Sequence, residues 1–136
     1  MAVFPSAEWL EDYVQRINVN KSYEEAALTW EGDFIFEINE IPGGKSEITR
    51  FYLDLYHGKC RSSRIIGNDE TVNTAFQYIG HYANWKKMIK GEIDPIQGIL
   101  TGKFTLKGSR LKVMRYTKAA KLLVQTAASV PTEFPE

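Results

Sequence analysis

Apolar residues recur along this chain with two different periods. Near the start, Trp9, Leu10, Tyr13, Val14 and Ile17 fall three or four apart, which puts them on one face of a helix that Ser6 is placed to cap. Ser22-Tyr23-Glu24-Glu25 has capping-box spacing and predicts a second, short helix running to about Trp30, ended by Gly32. The period then drops to two. Phe34, Phe36 and Ile38 alternate with Asp33, Ile35 and Glu37, and Phe51, Leu53 and Leu55 alternate with Arg50, Tyr52, Asp54 and Tyr56. Both runs read as half-buried strands. His57-Gly58 predicts a hairpin turn into a third strand, about Cys60 to Ile66, and a fourth is expected from Val72 to Ile79, with Phe76 and Tyr78 on one side.

Helical spacing returns at Tyr82, Trp85 and Ile89, ahead of Gly91 as a stop. Asp94-Pro95 has the form of a cap with proline at the first helical position, opening a short helix that groups Ile96, Ile99 and Leu100. Phe104, Thr105 and Leu106 form a short strand between Gly102 and Gly108. Ser109 then predicts one long final helix whose Val113, Tyr116, Ala120, Leu123, Val124 and Ala127 share an arc. Projected as a single helix, it carries a second apolar strip, Leu111, Met114 and Leu122. Two readings of that surplus stand: the extra surface meets another helix or a dimer partner, or it lines a cavity or meets a membrane interface.

The 136 residues are enough for one domain over 1–136 with a single core. Cys60 is the only cysteine, so no internal disulfide forms and a reducing, cytoplasmic setting is expected. No apolar run approaches the roughly 20 residues of a membrane span. Formal charge is zero, with 17 cations and 17 acids, but the cations Lys103, Lys107, Arg110, Lys112, Arg115, Lys118 and Lys121 lie in a stretch without acids. That basic segment is either a solvated helix face or an attractor of anions.

Motifs of catalysis are weak. Gly43-Gly44-Lys45-Ser46 imitates the end of a phosphate loop, but Asn39 stands where an earlier glycine is required and a strand follows where a helix is needed. His57 and Cys60 are three apart, a closed zinc site needs four ligands, and His81 is the only other histidine, so no metal is expected. An enzyme would need His57, His81 or Cys60 to converge in a cleft. Nucleic-acid binding would need exposed aromatics among the cations, and the basic helix has only Tyr116, on its apolar arc.

The block from Ile89 to Gly108 holds Gly91, Asp94 and Pro95 as G-x-x-D-P, then Gly102, Lys103, Leu106 and Gly108 as G-K-[LFV]-x-[IL]-x-G. It resembles the sterol carrier protein type 2 (sterol-binding domain) family, in its stand-alone prokaryotic form. Upstream, Leu53, Asp54 and Gly58 follow the L-D-x-x-x-G of bacterial and archaeal relatives, and Trp85 occupies the helix before the motif. The resemblance implies an α+β fold: a five-stranded, mostly antiparallel sheet with helices packed on one face, enclosing an apolar tunnel for a sterol, fatty acid, fatty acyl-CoA or phospholipid. It implies no cofactor and no catalysis. The expected lining is Phe51, Leu53, Leu55, Phe76, Tyr82, Trp85, Ile89, Ile99, Leu100, Phe104, Leu106 and Met114, with Lys103 or Lys107 meeting an anionic head group. The expected partners are therefore a lipid, a transiently touched membrane surface and, as the rival reading, a second copy of the chain in a homodimer.

Overall fold

The computed structural model describes residues 1–43 and 47–135. Strand β1 (Ala2–Val3) leads to Ser6, whose hydroxyl accepts the Trp9 N–H at 3.1 Å and opens helix α1 (Ala7–Val19). Trp9, Leu10, Tyr13 and Ile17 are buried along its inner face. Helix α2 (Lys21–Ala26) begins and ends earlier than the capping-box spacing predicts. Its cap is Asn20, which accepts the Tyr23 N–H at 3.0 Å while its amide donates to Thr126 Oγ1 at 2.9 Å. A tertiary hydrogen bond thus fixes Asn20 and makes it the start, leaving Ser22 inside the helix.

Strands β2 (Phe34–Ile41), β3 (Glu47–Tyr56), β4 (Lys59–Ile66), β5 (Phe76–His81) and β6 (Phe104–Lys107) form one sheet in the order β4-β3-β2-β5-β6. All neighbours are antiparallel except the parallel pair β2–β5. Gly44, Lys45 and Ser46 of the phosphate-loop imitation lie outside the described residues, and strand β3 stands where a phosphate loop would need a helix. The β3–β4 hairpin turns through His57 (φ 48°) and Gly58 (φ 81°), the paired positive φ of a two-residue hairpin matched to strand twist.

The parallel pair forces residues 67–75 to cross from the sheet edge to the far side of β2. Arg50 Nη2 donates to the carbonyls of Gly67 (2.7 Å) and Glu70 (2.8 Å), and Asp33 accepts the Ala75 N–H (2.8 Å) and the Tyr52 hydroxyl (3.0 Å). This crossover explains two departures from the periodic pattern. The strand expected from Val72 starts only at Phe76, because the residues before it are spent on the crossing. Ile35 and Ile66, on the face away from the helices, are nonetheless buried.

The other face is covered by α1, α2 and four later helices: α3 (Tyr82–Ile89), α4 (Pro95–Leu100), α5 (Arg110–Met114) and α6 (Thr117–Ala128). Asp94 Oδ2 caps α4 by accepting from Ile96 N (2.9 Å) and Gln97 N (3.0 Å). The Phe104 ring is wedged between β5 and α4. A Cβ on Gly80 would lie 2.5 Å from its Cδ1, and one on Gly98 would lie 2.8 Å from its Cδ2. Only glycine at both positions admits the ring.

The single long C-terminal helix predicted from the sequence is two helices. Tyr116 leaves helical geometry (φ −117°, ψ 36°), sets its ring edge-on to Trp30 at 5.0 Å and shares a 2.8 Å hydrogen bond with Thr29 Oγ1. Aromatic packing overrides a stretch with neither glycine nor proline. Strand β7 (Thr132–Glu133) then pairs in parallel with β1, bringing the two ends together over the buried Phe4. Among the described residues, no helix is long and apolar enough to cross a membrane.

Candidate functional site

The aromatic inner face of the sheet does not close completely against the helices. Phe34, Phe36, Phe51, Tyr78 and Leu106 floor a cavity. Its walls are Trp9 and Tyr13 of α1, Trp85, Met88 and Ile89 of α3, Pro95, Ile96 and Ile99 of α4, Val113 of α5, and Ala120, Leu123, Val124 and Ala127 of α6, with Phe4 at one end. The cavity proper is about 70 Å³, room for several water-sized spheres, and about 690 Å³ when the solvent-open space around it is included. One such sphere position needs roughly 10–15 Å³, so the interior exceeds an ordinary packing defect. A neighbouring space of about 350 Å³, lined by Tyr23, Ala27, Trp30, Leu55, Tyr116 and Ala119, shares Phe34, Val113, Ala120 and Leu123 as a partition.

Among the described residues, none that lines the main cavity is charged. Its few polar atoms are engaged away from the interior: Tyr13 Oη donates to the Leu123 carbonyl (2.8 Å), Tyr78 Oη to the Pro95 carbonyl (2.7 Å), Trp85 Nε1 to the Glu37 carbonyl (2.9 Å) and Trp9 Nε1 to Thr132 Oγ1 (2.9 Å). Burial pushes the Tyr13 and Tyr78 phenols well above their usual range, so both stay neutral. A wall of this kind solvates hydrocarbon and offers nothing to a polar group.

Of the lining expected from sequence, Phe51, Trp85, Ile89, Ile99 and Leu106 line the main cavity and Leu55 the neighbouring space. Leu53, Phe76, Tyr82 and Phe104 are buried in the surrounding core, where Phe104 stacks on Tyr78 at 4.7 Å and backs the wall. Met114 is half-buried against that core. Leu100 is 58% exposed, because packing of Phe104 on Gly98 rotates the buried face of α4 toward Pro95 and Gly98 and leaves Leu100 outside. Lys107 alternates with Leu106 onto the far face of the sheet, Lys103 is exposed ahead of β6, and neither borders a described cavity. The strip of Leu111, Met114 and Leu122 is divided by the α5–α6 break, with Leu111 exposed and Met114 and Leu122 turned to the core. Sequence reasoning assigned Trp9 and Tyr13 to core cover and overlooked Phe4. The signal was there in Ala120 and Ala127, small residues on a helix face opposite large rings.

The three residues with catalytic or ligating potential do not converge. Cys60 Sγ donates to the Ser62 carbonyl at 3.3 Å, and burial pushes its thiol up to about 11. His57 pairs with Glu31 (2.8 Å), and His81 with Asn39 (2.6 Å). Among the described residues no cluster of His, Cys, Asp and Glu is suited to a metal ion.

Comparison with known proteins agrees with this geometry. No curated protein matches the chain significantly in sequence. The crystal structure of a sterol carrier protein 2 superposes with a TM-score of 0.82 at 27% identity, over 92% of this chain and 97% of that one. The solution structure of a conserved hypothetical protein from Thermus thermophilus superposes with a TM-score of 0.83 at 27% identity, over 96% of this chain and 91% of that one. The fold alone is shared with the apo form of sterol carrier protein 2 from Yarrowia lipolytica (TM-score 0.56, 17% identity, 88% of each chain). The model of the SCP-2 sterol transfer family matches residues 10–121, a span that includes most of α1, the whole sheet with the glycine-bounded strand β6, helices α2 to α5 and the start of α6. A match over that much of the chain, joined to this fold and an uncharged internal cavity, shows that the chain belongs to the SCP-2 sterol transfer family.

Proposed function

We propose that the chain is a noncatalytic lipid-binding protein that takes the acyl portion of a lipid such as a fatty acid, fatty acyl-CoA or phospholipid into the cavity between sheet and helices. One observation carries this reading above the rest: the cavity wall is apolar throughout, and its own polar atoms are committed elsewhere. Family membership supports lipid binding or transfer in general. At about 0.8 kcal/mol per buried methylene, ten to twelve methylenes supply the roughly 8 kcal/mol of a micromolar complex, before the cost of association is met by further contacts. The basic surface of α5 and α6, with Arg110, Arg115 and Lys118 exposed, suits transient contact with an anionic membrane during loading.

The full chain is tested by displacement of a fluorescent fatty acid and by native mass spectrometry of protein purified without added ligand. Low-micromolar binding, with lipid adducts or extractable lipid, supports the proposal. A protein that is both empty and unresponsive to the dye refutes it.

A further inference from the structure

The apolar cavity has a polar neighbour. Met88, Pro95 and Val124 wall the cavity and also wall a more open depression of about 500 Å³, whose remaining lining includes Asp94, Lys121 and Gln125. Its lining carries charged side chains, which the main cavity and its smaller neighbour lack. Across these shared walls the lining passes from hydrocarbon to charge within the width of one helix, the arrangement that an amphipathic ligand inserted tail first requires.

The two charges differ in freedom. Asp94 is fixed, since its Oδ2 holds the first N–H groups of α4 at 2.9 and 3.0 Å. Lys121 approaches Asp94 Oδ1 only to 3.9 Å, with half of its side chain exposed. It is loosely held and can turn toward a new anion. Gln125 lies one turn further along α6 and adds an amide donor on the same side.

We propose that Lys121, and not Lys103 or Lys107, receives the carboxylate head group of a fatty acid seated in the cavity, and that Asp94 competes with that head group for Lys121. This rests on the lipid-binding reading above and adds the mouth, the head group and the sign of each charge's effect. An incoming carboxylate gains Lys121 and is repelled by Asp94, so removing the two charges has opposite consequences.

The test uses the full chain and two fluorescent probes of identical hydrocarbon, one ending in a carboxylate and one in an alcohol, at a pH where the acid is ionised. Wild type prefers the acid by about three- to fivefold, the effect of a partly exposed ion pair. Lys121→Met keeps the apolar stem and leaves only the Asp94 repulsion, so the preference is erased or turned slightly against the acid. Asp94→Asn keeps the helix cap and widens it. Lys103→Met and Lys107→Met leave it unchanged. A Lys121→Met protein that retains the preference, or that loses both probes by the same factor, overturns the assignment and leaves the cavity reading intact. A wild-type protein that binds neither probe removes the cavity reading and this assignment with it.

Discussion

Replacing Ala120 with leucine tests whether the space between sheet and helices is a ligand chamber or an ordinary core. Ala120 borders both the main cavity and its smaller neighbour. Leucine adds three carbons there, worth about 0.8 kcal/mol each when buried without strain, or roughly 2 kcal/mol in all. In an open chamber the new side chain fills free volume and stabilises the protein, raising Tm by about 4 °C per kcal/mol for a domain of this size. The same carbons occupy the place of about three ligand methylenes, so affinity for a fatty acid falls by roughly thirty- to fiftyfold. In a filled core the substitution would instead overpack and cost about 1–3 kcal/mol. Denaturant midpoints with matched slopes give the stability change, and displacement of a fluorescent fatty acid gives the affinity. A less stable Ala120→Leu protein that binds as well as wild type would refute the chamber.

Further outcomes follow from the packing. Asn20→Ala removes the α2 cap and the bond to Thr126 and costs about 1–2 kcal/mol by urea unfolding, whereas Ser22→Ala changes stability by less than about 0.5 kcal/mol; equal effects would return the cap to Ser22. Gly98→Ala places a methyl 2.8 Å from a Phe104 ring that Gly80 backs on the opposite side, and it lowers stability by about 1–3 kcal/mol in thermal melts; a neutral result would show that the ring has room to yield. The Glu70 carboxyl is held down at about 2 by its hydrogen bonds to Arg64 and then to the Gly67 N–H. Its folded pKa lies below the unfolded value of about 4.3, so its contribution is full above that pH and is lost as pH falls toward 2. The stability difference between wild type and Glu70→Gln therefore shrinks on acid titration across that window, and a difference independent of pH would contradict the pairing.

Local chemistry made most of the fold legible. Ser6, Asp94-Pro95, Gly91 and Gly102 mark element boundaries through caps and positive φ, which depend on near neighbours, and alternation, the His57-Gly58 turn and the glycines around β6 located the strands of the sheet except the start of β5. What escaped depends on distant residues. The α5–α6 break is made by Trp30 and Thr29 acting on Tyr116, with no helix breaker in the segment itself. Val72 reads as strand, yet it lies in the crossover that the parallel pairing of β2 and β5 demands. For the site, the inward-facing strand residues were readable from alternation, but Leu100 was misplaced because the face of a six-residue helix is set by Phe104 on Gly98, and Phe4 was missed because only the pairing of β1 with β7 brings it inside. The lysines inside the family motif, Lys103 and Lys107, border neither cavity nor depression, whereas Lys121, on another helix, lines the charged depression beside the cavity.

The most direct measurement is a methyl NMR titration of the full chain with a long-chain fatty acid. The account predicts saturable shifts at Ile89, Ile96, Ile99, Leu106 and Leu123 around the cavity, with Ile35 and Ile66 on the opposite face of the sheet unmoved. Shifts confined to the exposed Leu111 and Leu100, or the absence of saturable shifts at the cavity methyls, would contradict it.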